Sequence, residues 1–151
     1  MSTTRCPIAW IVDVDEIETR CPTRAELGTH LLSLQRTPDG RFFLLQDFGT
    51  TLRWPAFLGL RKRDECPCLS IEWSSGVAAL IFLDDAWSEY RAIDLERPVQ
   101  PSEDVRKRIS HGEFLPYPIG ECMSVERAFA AIAHYVAEGE RPPWLTYRYV
   151  K

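Results

Sequence analysis

Three short apolar stretches follow one another in the middle of this chain: Leu69 to Trp73, Val77 to Leu83 and Trp87 to Leu95. Only Ser74-Ser75-Gly76 and Asp84-Asp85 lie between them. Connections this short join antiparallel neighbours, and the first carries a glycine where φ can turn positive. The centre of the chain is therefore expected to be an antiparallel meander. Alternation along the third stretch places Trp87, Glu89, Arg91 and Ile93 on one face and Tyr90, Ala92 and Asp94 on the other.

The flanking sequence supplies further strands and two helices. Ile8 to Val14 alternates as a strand, with Ile8, Trp10 and Val12 on one face and Asp13 on the other. Thr23 and Glu26 form a capping box ahead of a helix from Arg24 to Gln35, where Leu27, Leu31 and Leu34 recur at helical spacing. Pro38-Asp39-Gly40 reads as a turn. Arg41 to Asp47 reads as a strand, and Phe42-Phe43-Leu44-Leu45, apolar on both faces, suggests a central position. Phe48 to Asp64 reads as an irregular excursion or a short edge strand, since Pro55 disfavours a central one.

Arg97 to Ser110 is polar, with one helical turn expected at Glu103–Arg108, and Phe114 to Tyr117 is a short extended stretch. Ser124 caps a second helix whose apolar face is Val125, Ala128, Phe129, Ile132, Ala133 and Val136, and Gly139 ends it. After the Arg141-Pro142-Pro143 corner, Trp144 to Tyr149 reads as a last strand. The expected fold class is α+β: a mainly antiparallel meander sheet packed against an N-terminal and a C-terminal helix, in one domain over residues 1–151. A chain of 151 residues buries enough surface to hold a core without disulfide or metal.

The net charge is −4 and the sequence pI about 5.4, which argues against direct nucleic-acid binding and fits a basic protein partner. The basic runs Arg61-Lys62-Arg63 and Arg106-Lys107-Arg108 each abut acids and read as solvated mixed surface. Neither an export signal nor a membrane-spanning run is present, so a cytoplasmic location without membrane contact, with five reduced cysteines, is expected. Cys66-Pro67-Cys68 is the most metal-like feature, but a zinc site wants a second pair, and His30, His111 and His134 are scattered. Phosphate-loop, dinucleotide, serine-hydrolase and metalloprotease motifs are absent. No metal or cofactor is expected; the residues alone leave open a small zinc- or thiol-dependent enzyme and a non-catalytic ligand-binding module.

The C-terminal half carries a family pattern. Gly112-Glu113-Phe114-Leu115-Pro116 precedes the capped helix from Ser124, which closes on Glu138-Gly139-Glu140-Arg141-Pro142 before Leu145-Thr146-Tyr147-Arg148. Upstream, Trp73 to Asp84 and the Thr23-x-x-Glu26 helix fit the same pattern. Together these resemble immunity protein family one of the polymorphic toxin systems. Tyr147 stands where that family usually carries Trp, and Trp144 adds an aromatic. The resemblance implies a non-enzyme, with no catalytic residues, that binds and neutralises a cognate toxin. Such toxins often act on nucleic acid, nucleobase deaminases among them, and inhibition by occluding the active site is expected.

Candidate toxin-binding residues are acids beside aromatics, which give rim charge and central anchors. The first patch is Asp84, Asp85, Trp87, Glu89 and Tyr90; the alternative is that Trp87 and Tyr90 cover the sheet while the acids are solvated. The second is the acidic strand end Asp13, Asp15, Glu16 and Glu18. Trp54, with Phe57, either protrudes as an apolar contact or plugs the sheet edge.

Overall fold

The computed structural model describes residues 5–52, 61–109 and 120–150. Its strands are β1 (Ala9–Val14), β2 (Ile17–Cys21), β3 (Asp39–Leu52), β4 (Arg61–Ser74), β5 (Val77–Leu83), β6 (Glu89–Ile93), β7 (Met123–Ser124) and β8 (Thr146–Tyr149). Its helices are α1 (Arg24–Gln35), α2 (Glu103–Ile109) and α3 (Val125–Glu138). The described strands form one antiparallel sheet in the order β2-β1-β3-β4-β5-β6-β8, with β7 pairing β5 off that path. The α+β class and the meander β4-β5-β6 are as expected, β3 continues it on one side, and among the described residues no helix is long and apolar enough to cross a membrane.

Both long helices lie on one face of the sheet. Leu27 and Leu31 of α1, and Ala128, Phe129, Ala131, Ile132 and Val136 of α3, share a core with Phe42, Leu44, Ile71, Trp73, Leu80 and Phe82. Each of these large apolar side chains contributes roughly 1.5–3 kcal/mol by leaving water. The rings of Phe42, Trp73 and Phe129 meet at centroid distances of 5.4–6.1 Å, in the tilted and edge-on arrangements aromatics prefer. Thr23 and Glu26 form the expected reciprocal cap, and Gly139 ends α3 at φ 73°. Within α3, Ala131 is buried and Ala133 exposed, because the stripe from Ala128 to Ile132 and Val136 passes over Ala131.

Gly40 is there for close approach: the Trp73 indole lies where a side chain on Gly40 would sit, with its Nε1–H on the Thr37 carbonyl at 3.0 Å. Gly120 answers a similar demand at φ 92°, where a Cβ would stand 2.9 Å from Ile93 and 3.0 Å from the Asp94 carbonyl.

The structure corrects several boundaries. The acidic run after Val14 is the turn of a hairpin: Asp15 and Glu16 take φ of 50° and 68°, and β2 returns with Val14 opposite Ile17. Charge concealed this strand, whose side chains from Ile17 to Arg20 all lie exposed at the sheet edge. Ile8 precedes the ladder and is exposed. The Phe48–Asp64 excursion is regular at both ends, where Thr50, Thr51 and Leu52 pair with Arg63, Lys62 and Arg61. Trp54, Phe57, His111 and Phe114–Tyr117 lie outside the described residues.

The β4–β5 turn is Ser75-Gly76 alone, and Ser74 stays in its strand. Trp87 belongs to the turn before β6, and the last strand begins at Thr146. The Glu103 turn extends to a short helix that packs Val105 and Ile109, with Cys122, on Val77 and Ala79. Those strand residues alternate with Ala78 and Leu80 of the main core, so α2 lies on the opposite face from α1 and α3.

Candidate functional site

The α2 face of the sheet is only partly covered by the described residues. Its middle is a row set by strand register: Asp13 opposite Phe43, Phe43 opposite Ser70, Ser70 opposite Ile81, and Ile81 opposite Arg91. Strict alternation puts these five side chains on one face. They floor a cleft of about 330 Å³, which Ile109 of α2 and Glu121 wall on one side. Asp15, Glu16, Arg41 and Glu72 complete the rim. The second acidic candidate therefore faces a cavity, and three of its members, Asp13, Asp15 and Glu16, line it together. Glu18 instead holds Arg63 at 3.2 Å on the sheet edge.

Five carboxylates face this cleft against two guanidiniums. Both guanidiniums already have carboxylate partners. Arg41 meets Asp15 at 2.9 Å in an exposed pair. Arg91 lies 3.5 Å from Glu121, which is itself buried and accepts from Arg148 at 2.7 Å. Asp13 and Glu16 are different: among the described residues neither has a hydrogen-bond or ion-pair partner. Asp13 is half-buried beside Phe43, which stands 49% exposed although its strand is central. That exposed ring, with the half-buried Ile81 in the same row, leaves apolar surface open at the cleft floor. Asp15 and Glu16 hold the left-handed conformation that a two-residue hairpin requires, without being glycine.

The first acidic patch is built differently. Asp84 to Ser88 is a closed turn in which the Trp87 amide donates to the Asp84 carbonyl at 3.0 Å and the Asp84 amide to the Ser88 carbonyl at 3.2 Å. The Asp84 carboxylate accepts from the amides of Ser88 and Ala86 at 2.8 and 2.9 Å. Those amides, the Ser88 amide foremost, hold its carboxyl below the usual carboxylate range. Asp85 accepts from the Cys66 thiol at 3.4 Å. Tyr90 packs on Tyr149 at 5.6 Å and beneath the Arg141 guanidinium at 4.3 Å. Glu89 is half-buried and has a partner of its own. Of this patch Asp85 and Trp87 are exposed, Trp87 to 66% at φ 63°.

A third acidic feature was not legible in the sequence. Asp94 is fully buried and takes a two-pronged bond from Arg127, Nε at 2.8 Å and Nη2 at 2.9 Å, with Arg127 stacked on Trp144 at 4.2 Å. The Arg127 bonds hold the Asp94 carboxyl low, against the opposing effect of burial. This clamp ties the end of β6 to the start of α3 and accounts for Trp144, the extra aromatic of the last segment.

Among the described residues no three His, Cys, Asp or Glu side chains gather to hold a metal ion. Cys68 is buried and donates to the Leu44 carbonyl at 3.2 Å, at the register shift between Leu44 and Leu45. Burial pushes the Cys66 and Cys122 thiols up to about 11, with the Asp85 hydrogen bond adding to the rise at Cys66. Such thiols are protonated and poorly nucleophilic at neutral pH.

Phe43, Ser70, Glu72 and Arg91 escaped sequence reasoning as site residues. The period-two pattern from Arg41 to Phe43 was available, but the apolar run masked it. Comparison with protein-family profiles, curated proteins and solved structures finds no match to this chain.

Proposed function

We propose that this chain is an immunity-type binding protein that neutralises a cognate bacterial toxin by stoichiometric association in the cytoplasm of the cell that makes it. The partner is a basic, nucleic-acid-acting domain, a nucleobase deaminase among the candidates, and inhibition is by occluding its active site. One observation supports this most: Asp13 and Glu16, without partners among the described residues, stand beside an exposed Phe43 at an open cleft. A toxin that handles nucleic acid concentrates positive charge around its active site, and a surface of open carboxylates around an aromatic anchor is complementary to it. The protonated thiols favour a non-catalytic role.

The test is to mix the purified chain with the toxin domain encoded beside it. The expected result is a 1:1 complex in which toxin activity falls in proportion to the amount of this protein added. Residual activity at a twofold excess over toxin, or no complex on a sizing column, contradicts the reading.

A further inference from the structure

We infer that the cleft on the α2 face is a receptor for one guanidinium side chain of the partner, clamped between Asp13 and Phe43. The inference rests on the toxin-binding reading for its partner and on the cleft's own chemistry for its ligand. Register places Asp13 directly opposite Phe43 and Phe43 directly opposite Ser70. A carboxylate, an aromatic ring and a hydroxyl therefore stand in line across three neighbouring strands, facing the same cavity.

Each of the three suits one part of an arginine. A planar guanidinium stacks on an aromatic face, and its fork of N–H groups donates to a carboxylate. The hydroxyl is a further acceptor for the edge of that fork. The methylene stem matches the apolar remainder of the floor, Ile81 and Ala79. The volume, about 330 Å³, stands at the low end of the roughly 300–1,000 Å³ of small-ligand pockets, enough for one long side chain.

The face already binds this chemistry twice within the molecule, with Arg41 on Asp15 and Arg91 on Glu121. What remains is the carboxylate side of the same pairing at Asp13 and Glu16. An anionic ligand is disfavoured by five carboxylates. A compact ammonium is more strongly hydrated than a guanidinium and stacks less well on Phe43.

The experiment is an amide chemical-shift titration of the intact chain with Nα-acetyl-arginine methylamide, run beside the citrulline and lysine analogues. The arginine analogue should saturate with a Kd of about 1 mM, near −4 kcal/mol, moving the Asp13, Phe43 and Ser70 amides. Citrulline keeps the shape without the charge and should bind about tenfold more weakly, as should lysine. Asp13→Asn should weaken arginine binding about tenfold. If that variant fails to fold, Glu16→Gln on the exposed turn and Phe43→Leu take its place, with the same direction expected.

Shifts centred on Asp84–Tyr90, equal binding by citrulline or lysine, or Asp13→Asn binding like the parent each overturn the inference. The two readings fail separately. A toxin complex without arginine binding in the cleft leaves the proposed function standing and removes this site. Arginine binding without a toxin complex does the reverse.

Discussion

The Asp84–Ser88 turn and the Asp15–Glu16 turn both place acids at the tip of a hairpin. Their carboxylates are in opposite conditions. Asp84 closes its own loop through two backbone amides, and Tyr90 is packed under Arg141 and against Tyr149. Asp13 and Glu16 have no such partners among the described residues and face a cavity with Phe43. An acid already holding backbone donors has fewer lone pairs left for a partner; an open acid has all of them. The two turns therefore differ in the fate of each carboxylate's lone pairs, and the proposed recognition surface is the one whose carboxylates stay open.

Four predictions probe this contrast. The largest effect belongs to Asp94, the buried limit of a committed carboxylate. Asp94→Ala leaves Arg127 without its two-pronged partner and should cost about 3 kcal/mol in denaturant unfolding; a cost under about 1 kcal/mol would show that the clamp is dispensable. Next, Asp13→Lys with Glu16→Lys should weaken toxin binding about a hundredfold and steepen its loss with salt, without lowering the melting temperature.

The third concerns Trp87, which occupies a left-handed position that glycine prefers and is largely exposed. Trp87→Gly should stabilise the free protein by about 1 kcal/mol. A loss of stability would mean that the ring packs within the monomer and would remove the distinction drawn for that turn.

The smallest effect is in pH. The carboxyls of Asp94 and Asp84 are held below their unfolded value, as is that of Asp47, where the Gly49 amide and Arg20 outweigh the effect of burial. A depressed folded pKa gives stability that is complete above the unfolded value, about 3.9, and is lost as pH falls through the folded one. These three groups should thus make unfolding free energy decline below about pH 4, opposed in part by Glu65, whose carboxyl burial holds above its unfolded value. Asp94→Ala should flatten part of that decline.

Much of the scaffold was readable because local rules govern it. The Thr23–Glu26 box, the α1 limits, the Ser124 cap, the Gly139 stop and the meander turns each follow from short spacings. The β2 hairpin was not, since a strand exposed along one edge carries no apolar period. For the site, Asp13, Asp15 and Glu16 were legible as acids, whereas their meeting with Phe43, Ser70 and Glu121 depends on register across the sheet. Glu121 and Asp94 look like surface acids until β6, α3 and β8 enclose them; no nearby residue announces that.

The central claim is that the Asp13–Phe43 cleft, and not the Asp84–Tyr90 turn, meets the toxin. Calorimetric titration of the toxin domain into the Asp13→Lys/Glu16→Lys variant and into an Asp85→Lys/Glu89→Lys variant, at the same salt, tests it most directly. The account predicts about a hundredfold loss for the first and a change within about threefold for the second. The reverse ranking would contradict it.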